Sequence, residues 1–170
     1  MLKVLPISSK TICKQINLSN MTYKHYGKII RFKNYDSVER YYSKASPAEY
    51  KAFCNNASVL FDSFKLFANI LNNSDFYIAS SEKNHIKFED SHILNTISQC
   101  NKILLTDDWS IIEDTFIKAL RYEFSPVFIT TNSDVAIMPS DHLDMFIASK
   151  QELNLELLNL SPLLEITSWN

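Results

Sequence analysis

The residues most able to do chemistry in this sequence are a serine, an aspartate and a histidine in consecutive positions. Ser140, Asp141 and His142 supply a hydroxyl, an acid and a base. A catalytic triad is instead assembled in space from separate elements, because neighbouring side chains rarely point at each other. The nucleophile elbow of many hydrolases also needs glycines, and the chain has only Gly27. The sequence therefore predicts no catalytic residue and no enzyme, with an unrecognised site near Asp141 and His142 as the lesser alternative.

The four histidines are the next candidates, as ligands of a metal ion. A zinc site needs three or four converging ligands, and the densest group joins His85 and His92 with Glu89 and Asp90. The sequence has neither the HExxH nor the CxxC spacing of familiar metal sites. Loops that cradle phosphates need several glycines, which this chain lacks. We therefore expect neither a metal nor a cofactor.

Acidic side chains dominate the second part of the chain. Residues 1–51 hold ten basic and three acidic groups, whereas residues 52–170 hold seven basic and sixteen acidic groups. Clustered acidic groups steer a basic partner and raise its association rate, although helix capping and solvated loops would also explain these acids. We expect the turns at one end of the sheet to lie near the start of the central helix, with Asp108, Asp141 and Asp144 exposed. The predicted partner-binding residues are Asp107, Asp108, Asp134, Asp141 and Asp144.

A basic and aromatic segment, Tyr23–Tyr42, offers an alternative surface for nucleic acid. Its cations would neutralise phosphates, and its tyrosines would stack on bases. A half-buried strand followed by a solvated helix would explain the same pattern. Because the segment lacks the motif of an RRM and the chain has a net charge of −2, a protein partner is the first hypothesis. The residues concerned are Lys24, Lys28, Arg31, Lys33 and Arg40, with Tyr26 or Tyr35 for stacking.

A helix and a three-stranded meander must position the acidic residues. Thr106 or Asp107 suits the N-cap of the helix, since a short side-chain oxygen can accept from its first free N–H groups. Apolar residues including Phe116 then recur at three- and four-residue steps as far as Phe124. Polar turns separate three apolar runs that follow. These runs predict strands around Val127–Ile129, Val135–Ile137 and Met145–Ile147.

The first half of the chain predicts a long buried helix. Ser46, Pro47 and Glu49 form a capping box with proline at the first helical position. Apolar residues continue at helical spacing to Leu71, and we expect Cys54 in the core. Shorter elements are also predicted: strands at Leu2–Ile7, Lys28–Lys33, Phe76–Ala79, His85–Phe88 and Leu163–Trp169; helices from Asp36 or Ser37 through Tyr42 and from Asp90 or Ser91 through Ile97; and a helix or extended segment at Gln151–Leu158.

Length and composition indicate a single globular domain, residues 1–170. Apolar residues make up 46% and charged residues 21% of the chain, which are globular values. The element order predicts the α+β class, with an antiparallel sheet packed against helices. We expect a cytoplasmic protein with no membrane segment, because the sequence has no long apolar run and no signal peptide at its start. Three well-separated cysteines also suit a reducing compartment.

Four sequence features follow one another between Asp107 and Ser149. They are Asp107-Asp108-Trp109 at the helix start, Ala119-Leu120-Arg121-Tyr122-Glu123-Phe124 at its end, Pro126-Val127-Phe128-Ile129, and Asp141-His142-Leu143-Asp144 before a final apolar strand. This order resembles the C-terminal part of small bacterial immunity proteins, the partners of toxins in contact-dependent inhibition and related polymorphic toxin systems. The resemblance implies a cytoplasmic α+β protein that binds and blocks a cognate toxin domain without doing chemistry itself.

Overall fold

The computed structural model describes residues 2–5, 26–80, 103–132, 134–155 and 158–168 of the chain. Within these ranges the helices are α1 (Pro47–Ile70) and α2 (Trp109–Leu120). The strands are β1 (Leu2–Leu5), β2 (Lys28–Phe32), β3 (Phe76–Ser80), β4 (Ile103–Thr106), β5 (Pro126–Thr130), β6 (Val135–Ser140), β7 (Asp144–Ser149) and β8 (Leu164–Ser168). They join in one antiparallel sheet with the order β1-β4-β3-β5-β6-β7-β2-β8. The predicted α+β class and the meander β5-β6-β7 are confirmed.

The two ends of the sheet carry different parts of the chain. At one end, Phe76 of β3 pairs with Thr106 of β4 and with Thr130 of β5, so both the start of α2 and the β5–β6 turn lie there. At the other end, Asp144 of β7 pairs with Ser140 of β6 and with Arg31 of β2. We call these the helix-start end and the Asp144 end.

Helix α1 begins with the predicted capping box. The Ser46 hydroxyl accepts a hydrogen bond from the backbone N–H of Glu49 (3.3 Å), and the Glu49 carboxylate accepts one from the backbone N–H of Ser46 (2.6 Å). Pro47 takes the first helical position, where a backbone N–H would have no partner within the helix, so its absence costs no hydrogen bond. The prediction of a long helix from Pro47 is confirmed, with Ile70 as its last residue.

An aromatic core joins both helices to one face of the sheet. Phe64 of α1 lies 5.4 Å from Phe116 of α2, and 5.2 Å from both Phe76 of β3 and Phe128 of β5, between ring centroids. All four side chains are fully buried, so the predicted apolar face of α2 is confirmed. On the opposite face, alternate residues of central strands form a smaller apolar cluster of Ala79, Ile103, Val127, Ile129, Ala136 and Ala148.

Both helices are followed by a residue with a left-handed backbone, although neither residue is glycine. Asn72 follows α1 with a φ of 51°, and Tyr122 follows α2 with a φ of 59°. In each case the next backbone N–H donates to a carbonyl in the last helical turn, at 3.0 Å after α1 and 2.9 Å after α2. This is the Schellman arrangement, in which glycine is the usual left-handed residue. The only glycine of the chain, Gly27, lies elsewhere.

The predicted N-cap of α2 is wrong by one or two positions. Asp108 takes this role in place of Thr106 or Asp107, because its carboxylate accepts from the backbone N–H of Ser110 at 3.0 Å. The Thr106 hydroxyl accepts instead from the backbone N–H of Asp108, also at 3.0 Å. Two short polar side chains, Thr106 and Asp108, thus each accept a hydrogen bond from a backbone N–H two residues further on at the turn from β4 into α2.

Two further expectations about the helices are corrected. Helix α2 ends at Leu120 and does not reach Phe124, because Tyr122 adopts the left-handed backbone. Cys54 is exposed, because the buried face of α1 passes through its neighbour Phe53. Neither α1 nor α2 combines the length and the apolarity required to cross a membrane.

The predicted helix at Asp36–Tyr42 is wrong, whereas most predicted strands are confirmed. Residues 33–37 form turns, and the backbone N–H of Ser37 donates to the Asn34 carbonyl at 2.8 Å. The described part of Gln151–Leu158 contains no helix. Strands β1, β2, β3 and β8 occupy the positions expected for them. The predicted strand His85–Phe88 and the helix from Asp90 or Ser91 lie outside the described residues.

Candidate functional site

The five predicted partner-binding aspartates lie at both ends of the sheet. Asp107, Asp108 and Asp134 are at the helix-start end, whereas Asp141 and Asp144 are at the Asp144 end. Successive turns of an antiparallel meander fall at opposite ends, because each strand reverses the direction of the chain. The expected proximity to the helix start therefore holds for the turn with Asp134 and is wrong for the turn with Asp141 and Asp144.

At the helix-start end, carboxylates continue from the start of α2 along its exposed side. We call Asp107, Asp108, Glu113 and Asp114 the acidic surface of α2, and all four are exposed. Asp108 accepts hydrogen bonds from both the backbone N–H (3.0 Å) and the hydroxyl (2.6 Å) of Ser110. These bonds lower the pKa of Asp108, so its carboxylate is negatively charged at neutral pH. The Lys118 ammonium pairs with Asp114 and offsets part of the total charge.

Asp134 has a basic partner inside the protein. Its carboxylate lies 3.3 Å from the Lys150 ammonium, and its backbone carbonyl accepts from the backbone N–H of Lys150 at 3.0 Å. The side chain is only partly exposed. The lysine opposes the charge of this carboxylate and so reduces its contribution to the negative field at this end of the sheet. The N-terminal ammonium has the same effect on Asp107, to which it is hydrogen-bonded.

Asp144 is buried, and the prediction that it is exposed is wrong. Its residue is 4% exposed, because β7 starts here between β6 and β2, with Arg31 paired opposite. The Asp144 carboxylate accepts from the Ser140 hydroxyl at 2.6 Å. Burial raises the pKa of Asp144, and the hydrogen bond from Ser140 opposes this rise. Asp144 therefore belongs to the interior of the fold and cannot act as a charge on the rim of an interface.

The residues of the Ser140-Asp141-His142 sequence face different partners. The Ser140 hydroxyl has one proton, which it donates to Asp144, and its oxygen accepts from the backbone N–H of His142 at 3.2 Å. The His142 Nδ1 atom lies 3.0 Å from Nη1 of Arg40. Because a guanidinium can only donate, this contact requires an unprotonated Nδ1. A catalytic serine would donate its proton to the histidine, which acts as the base. Here the serine donates to a carboxylate and the histidine contacts an arginine, so the arrangement is not that of a nucleophile and its base.

The basic and aromatic segment is also tied into the fold at the Asp144 end. Two guanidinium groups lie over the Tyr35 ring, with Cζ of Arg31 at 5.2 Å and Cζ of Arg40 at 5.0 Å from its centroid. Arg31 also donates from Nε to the Glu165 carboxylate at 2.8 Å. Burial raises the pKa of Tyr35, and the nearby charge of Asp144 adds to the rise. Cations of the chain itself thus contact Tyr35, one of the two rings expected to stack on bases, whereas the other, Tyr26, is exposed. Nucleic-acid binding stays a prediction.

A cluster of tyrosines around one arginine was not predicted from the sequence. The Arg121 guanidinium lies over the rings of Tyr41 and Tyr50, with Cζ at 5.2 Å and 5.6 Å from their centroids, and Nη2 donates to the Tyr50 hydroxyl. The flanking residues Tyr42 and Tyr122 are 58% and 78% exposed. The cluster brings together two distant parts of the chain, so no local sequence motif predicts it. The sequence offered no signal for it, because the helix was predicted to continue through Tyr122 to Phe124.

Comparison with protein-family models, with curated proteins and with solved structures gives no match to this chain. Among the described residues, no three His, Cys, Asp or Glu side chains converge as ligands of a metal. The candidate group of His85, Glu89, Asp90 and His92 lies outside those residues. The candidate sites are therefore two surfaces, the acidic surface of α2 and the tyrosine cluster near its other end.

Proposed function

We propose that this chain is a non-catalytic protein that binds a basic protein domain, and that it neutralises a cognate toxin in the bacterial cytoplasm as immunity proteins do. The single observation that carries the proposal is the acidic surface of α2. Its four carboxylates are exposed on one short helix and its start, while Lys118 pairs with Asp114 and the N-terminal ammonium is hydrogen-bonded to Asp107.

The rigidity of this surface supports binding by a preformed interface. Asp108 is fixed by two hydrogen bonds to Ser110, and α2 is anchored by the fully buried side chains of Ile112, Phe116 and Leu120. Exposed acidic groups held in place in this way add to a field that attracts a basic domain before contact. The Asp108 side chain loses little freedom on binding, because its two hydrogen bonds to Ser110 already hold it.

The first test of the proposal is co-expression with the protein encoded by the adjacent gene, followed by affinity purification. We expect the neighbouring product to inhibit growth when it is expressed alone. We expect this chain to restore growth and to co-purify with that product. A neighbouring product that is harmless alone and does not co-purify would overturn the proposed function.

The second test locates the interface by changing charge without removing the helix cap. Serine is as good an N-cap as aspartate, so a variant with Asp108→Ser and Glu113→Lys changes the charge of the acidic surface while α2 keeps its start. We expect its association with the purified partner at low salt to be about 10- to 100-fold slower, with a small effect on dissociation. Stopped-flow kinetics at low and high salt measure both rates.

A matched control carries the same charge change on exposed residues away from α2. Asp36→Ser with Glu152→Lys should leave the association rate close to that of the wild type, because neither residue belongs to the acidic surface. Equal slowing in both variants would mean that only the total charge of the protein matters. An unchanged rate for the α2 variant, shown to be folded by circular dichroism, would place the interface elsewhere.

A further inference from the structure

Strand β8 is an outer strand of the described sheet. Its five residues pair with β2 without interruption, and among the described residues no other strand pairs with it. Lysine, proline and bulges are the usual features that keep such an edge from pairing with another chain. The other outer strand, β1, carries the exposed Lys3, whereas β8 contains none of these features. Strand β8 is therefore the edge open to a further strand.

One hydrogen bond fixes which residues of β8 face β2. The backbone N–H of Lys33 donates to the Leu163 carbonyl at 2.9 Å, and these two residues lie directly opposite each other in the register that continues into β8. In an antiparallel pair, opposite residues exchange hydrogen bonds at every second position. The backbone groups of Glu165 and Thr167 therefore face β2.

The alternate residues of β8 direct their backbone groups away from the sheet. These residues are Leu164, Ile166 and Ser168. The Leu164 N–H donates to the Ser161 carbonyl at 2.9 Å. Among the described residues, none forms a hydrogen bond with the Leu164 carbonyl or with the backbone N–H and C=O groups of Ile166 and Ser168. These groups are the ones with which an added strand would pair.

The side chains along this edge suit contact with another protein strand. Ile166 is a partly buried residue that packs against the core, and Leu163, directly before the strand, is 54% exposed. The Glu165 carboxylate accepts a hydrogen bond from Nε of Arg31 at 2.8 Å. The one charge on β8 thus has a partner within the protein, so it places no unpaired charge on the edge.

The sequence of β8 is complementary to itself. Two copies related by a two-fold axis would pair antiparallel, and residues with outward backbone groups must then face each other. With the axis at Ile166, this residue faces its equivalent, Leu164 faces Ser168, and Glu165 faces Thr167. An axis at Glu165 would place two carboxylates directly opposite, which is destabilising. An axis at Thr167 would leave Leu164 without a partner in β8.

We propose that this chain forms a homodimer in which β8 pairs antiparallel with β8 of a second copy, with the two-fold axis at Ile166. The backbone groups of the two Ile166 residues exchange hydrogen bonds across the axis. Each Ser168 N–H donates to the Leu164 carbonyl of the other copy, and the two sheets become one. Helix α2 packs on β5 and β6, with β7 and β2 between these strands and β8. The inference therefore concerns a different surface from the one proposed to bind a basic domain.

The first test measures the molecular mass of the full chain by sedimentation velocity over a range of concentrations. A single strand edge is a small interface, and small interfaces are typically weak, so we expect a dimer to form at micromolar concentrations. Ser168→Pro removes an outward N–H and no hydrogen bond to β2. We expect it to raise the Kd of the dimer about tenfold, because both copies lose a hydrogen bond.

Ser168→Ala is the matched control for the proline variant. Both substitutions remove the serine hydroxyl, which lies 3.2 Å from the Lys28 ammonium, but only proline removes the backbone N–H. The alanine variant should dimerise as the wild type does. The urea midpoint of monomeric Ser168→Pro should equal that of the alanine variant, because an edge strand tolerates proline where the N–H faces solvent. A merely structural role of this residue would lower the midpoint instead.

The second test checks the register with cysteines under mild oxidation. Opposite Cα atoms of a hydrogen-bonded pair lie about 5.5 Å apart, which a disulfide can bridge. Ile166→Cys should therefore form more cross-linked dimer on a non-reducing gel than the wild type, whose own cysteines set the background. Thr167→Cys should stay at that background, because Thr167 faces Glu165 of the second copy and not its own equivalent.

Three results would overturn the proposal. They are a monomer at every concentration, a Ser168→Pro variant that dimerises as tightly as the wild type, and equal cross-linking of the two cysteine variants. A strand of another protein as the occupant of this edge would give the first of these results. The variant Asp108→Ser with Glu113→Lys should dimerise as the wild type does, so failure of the dimer and failure of the proposed toxin binding are separate outcomes.

Discussion

Asp108 at the helix-start end and Asp144 at the Asp144 end are both held by a serine, but they serve the fold in opposite ways. Asp108 is exposed and caps α2 by accepting from Ser110. Asp144 is buried and accepts from Ser140 across a tight turn. The hydrogen bonds favour the charged form of Asp108, whereas burial disfavours the charged form of Asp144. Two aspartates near turns, each bonded to a serine, therefore need not belong to the same functional surface.

The largest expected effect comes from the aromatic core that both ends share. Phe116 is fully buried and packs between Phe64 and Phe128. Phe116→Ala should reduce the free energy of unfolding by about 3–5 kcal/mol, because it removes apolar contacts and leaves a cavity. Urea denaturation measures this change. A midpoint close to that of the wild type would mean that the inward face of α2 is assigned incorrectly, and with it the outward acidic surface.

The second prediction compares two aspartates in one turn. Asp144→Ala leaves the hydroxyl of Ser140 without its buried acceptor, and we expect a loss of about 1–3 kcal/mol in the free energy of unfolding. Asp141→Ala, at the partly exposed position three residues earlier, should change this free energy by about 0.5 kcal/mol or less. Equal losses in the two variants would contradict the distinction between a buried and a rim carboxylate.

The smallest expected effect is a difference in the response to pH. The pKa of Asp144 is raised above the usual aspartate value of 3.8, so the folded state holds this proton more tightly than the unfolded state does. Its ionisation therefore lowers stability as pH rises from about 3.8 through the raised pKa. The pKa of Asp108 is lowered, so its contribution is present above 3.8 and is lost as pH falls through the lowered pKa.

Urea midpoints between pH 3 and 7 test the two signs with uncharged variants. We expect the wild type to lose stability relative to Asp144→Asn as pH rises above about 4, because only the wild type ionises at this buried site. Relative to Asp108→Asn, the wild type should lose stability as pH falls below about 4. If the stability of the wild type relative to the two variants changed in the same direction with pH, the proposed contrast between Asp108 and Asp144 would be contradicted.

Some features of this protein follow from local sequence alone. The capping box at Ser46 and Glu49 and the apolar spacing of Phe116 predict α1 and α2, because hydrogen bonds to free N–H groups and helical periodicity act within a few residues. The meander follows from apolar runs separated by polar turns.

Tertiary structure decided which of these residues share a surface. Asp134 and Asp141 lie in successive turns, and the reversal at each strand sends them to opposite ends of the sheet. The burial of Asp144 depends on β2, which comes from more than a hundred residues earlier in the chain and pairs Arg31 opposite it. The contact of Arg121 with Tyr41 and Tyr50 likewise requires the end of α2 to meet the start of α1. Sequence patterns act through neighbouring residues, whereas charge, burial and ring contacts depend on distances that only the packed chain sets.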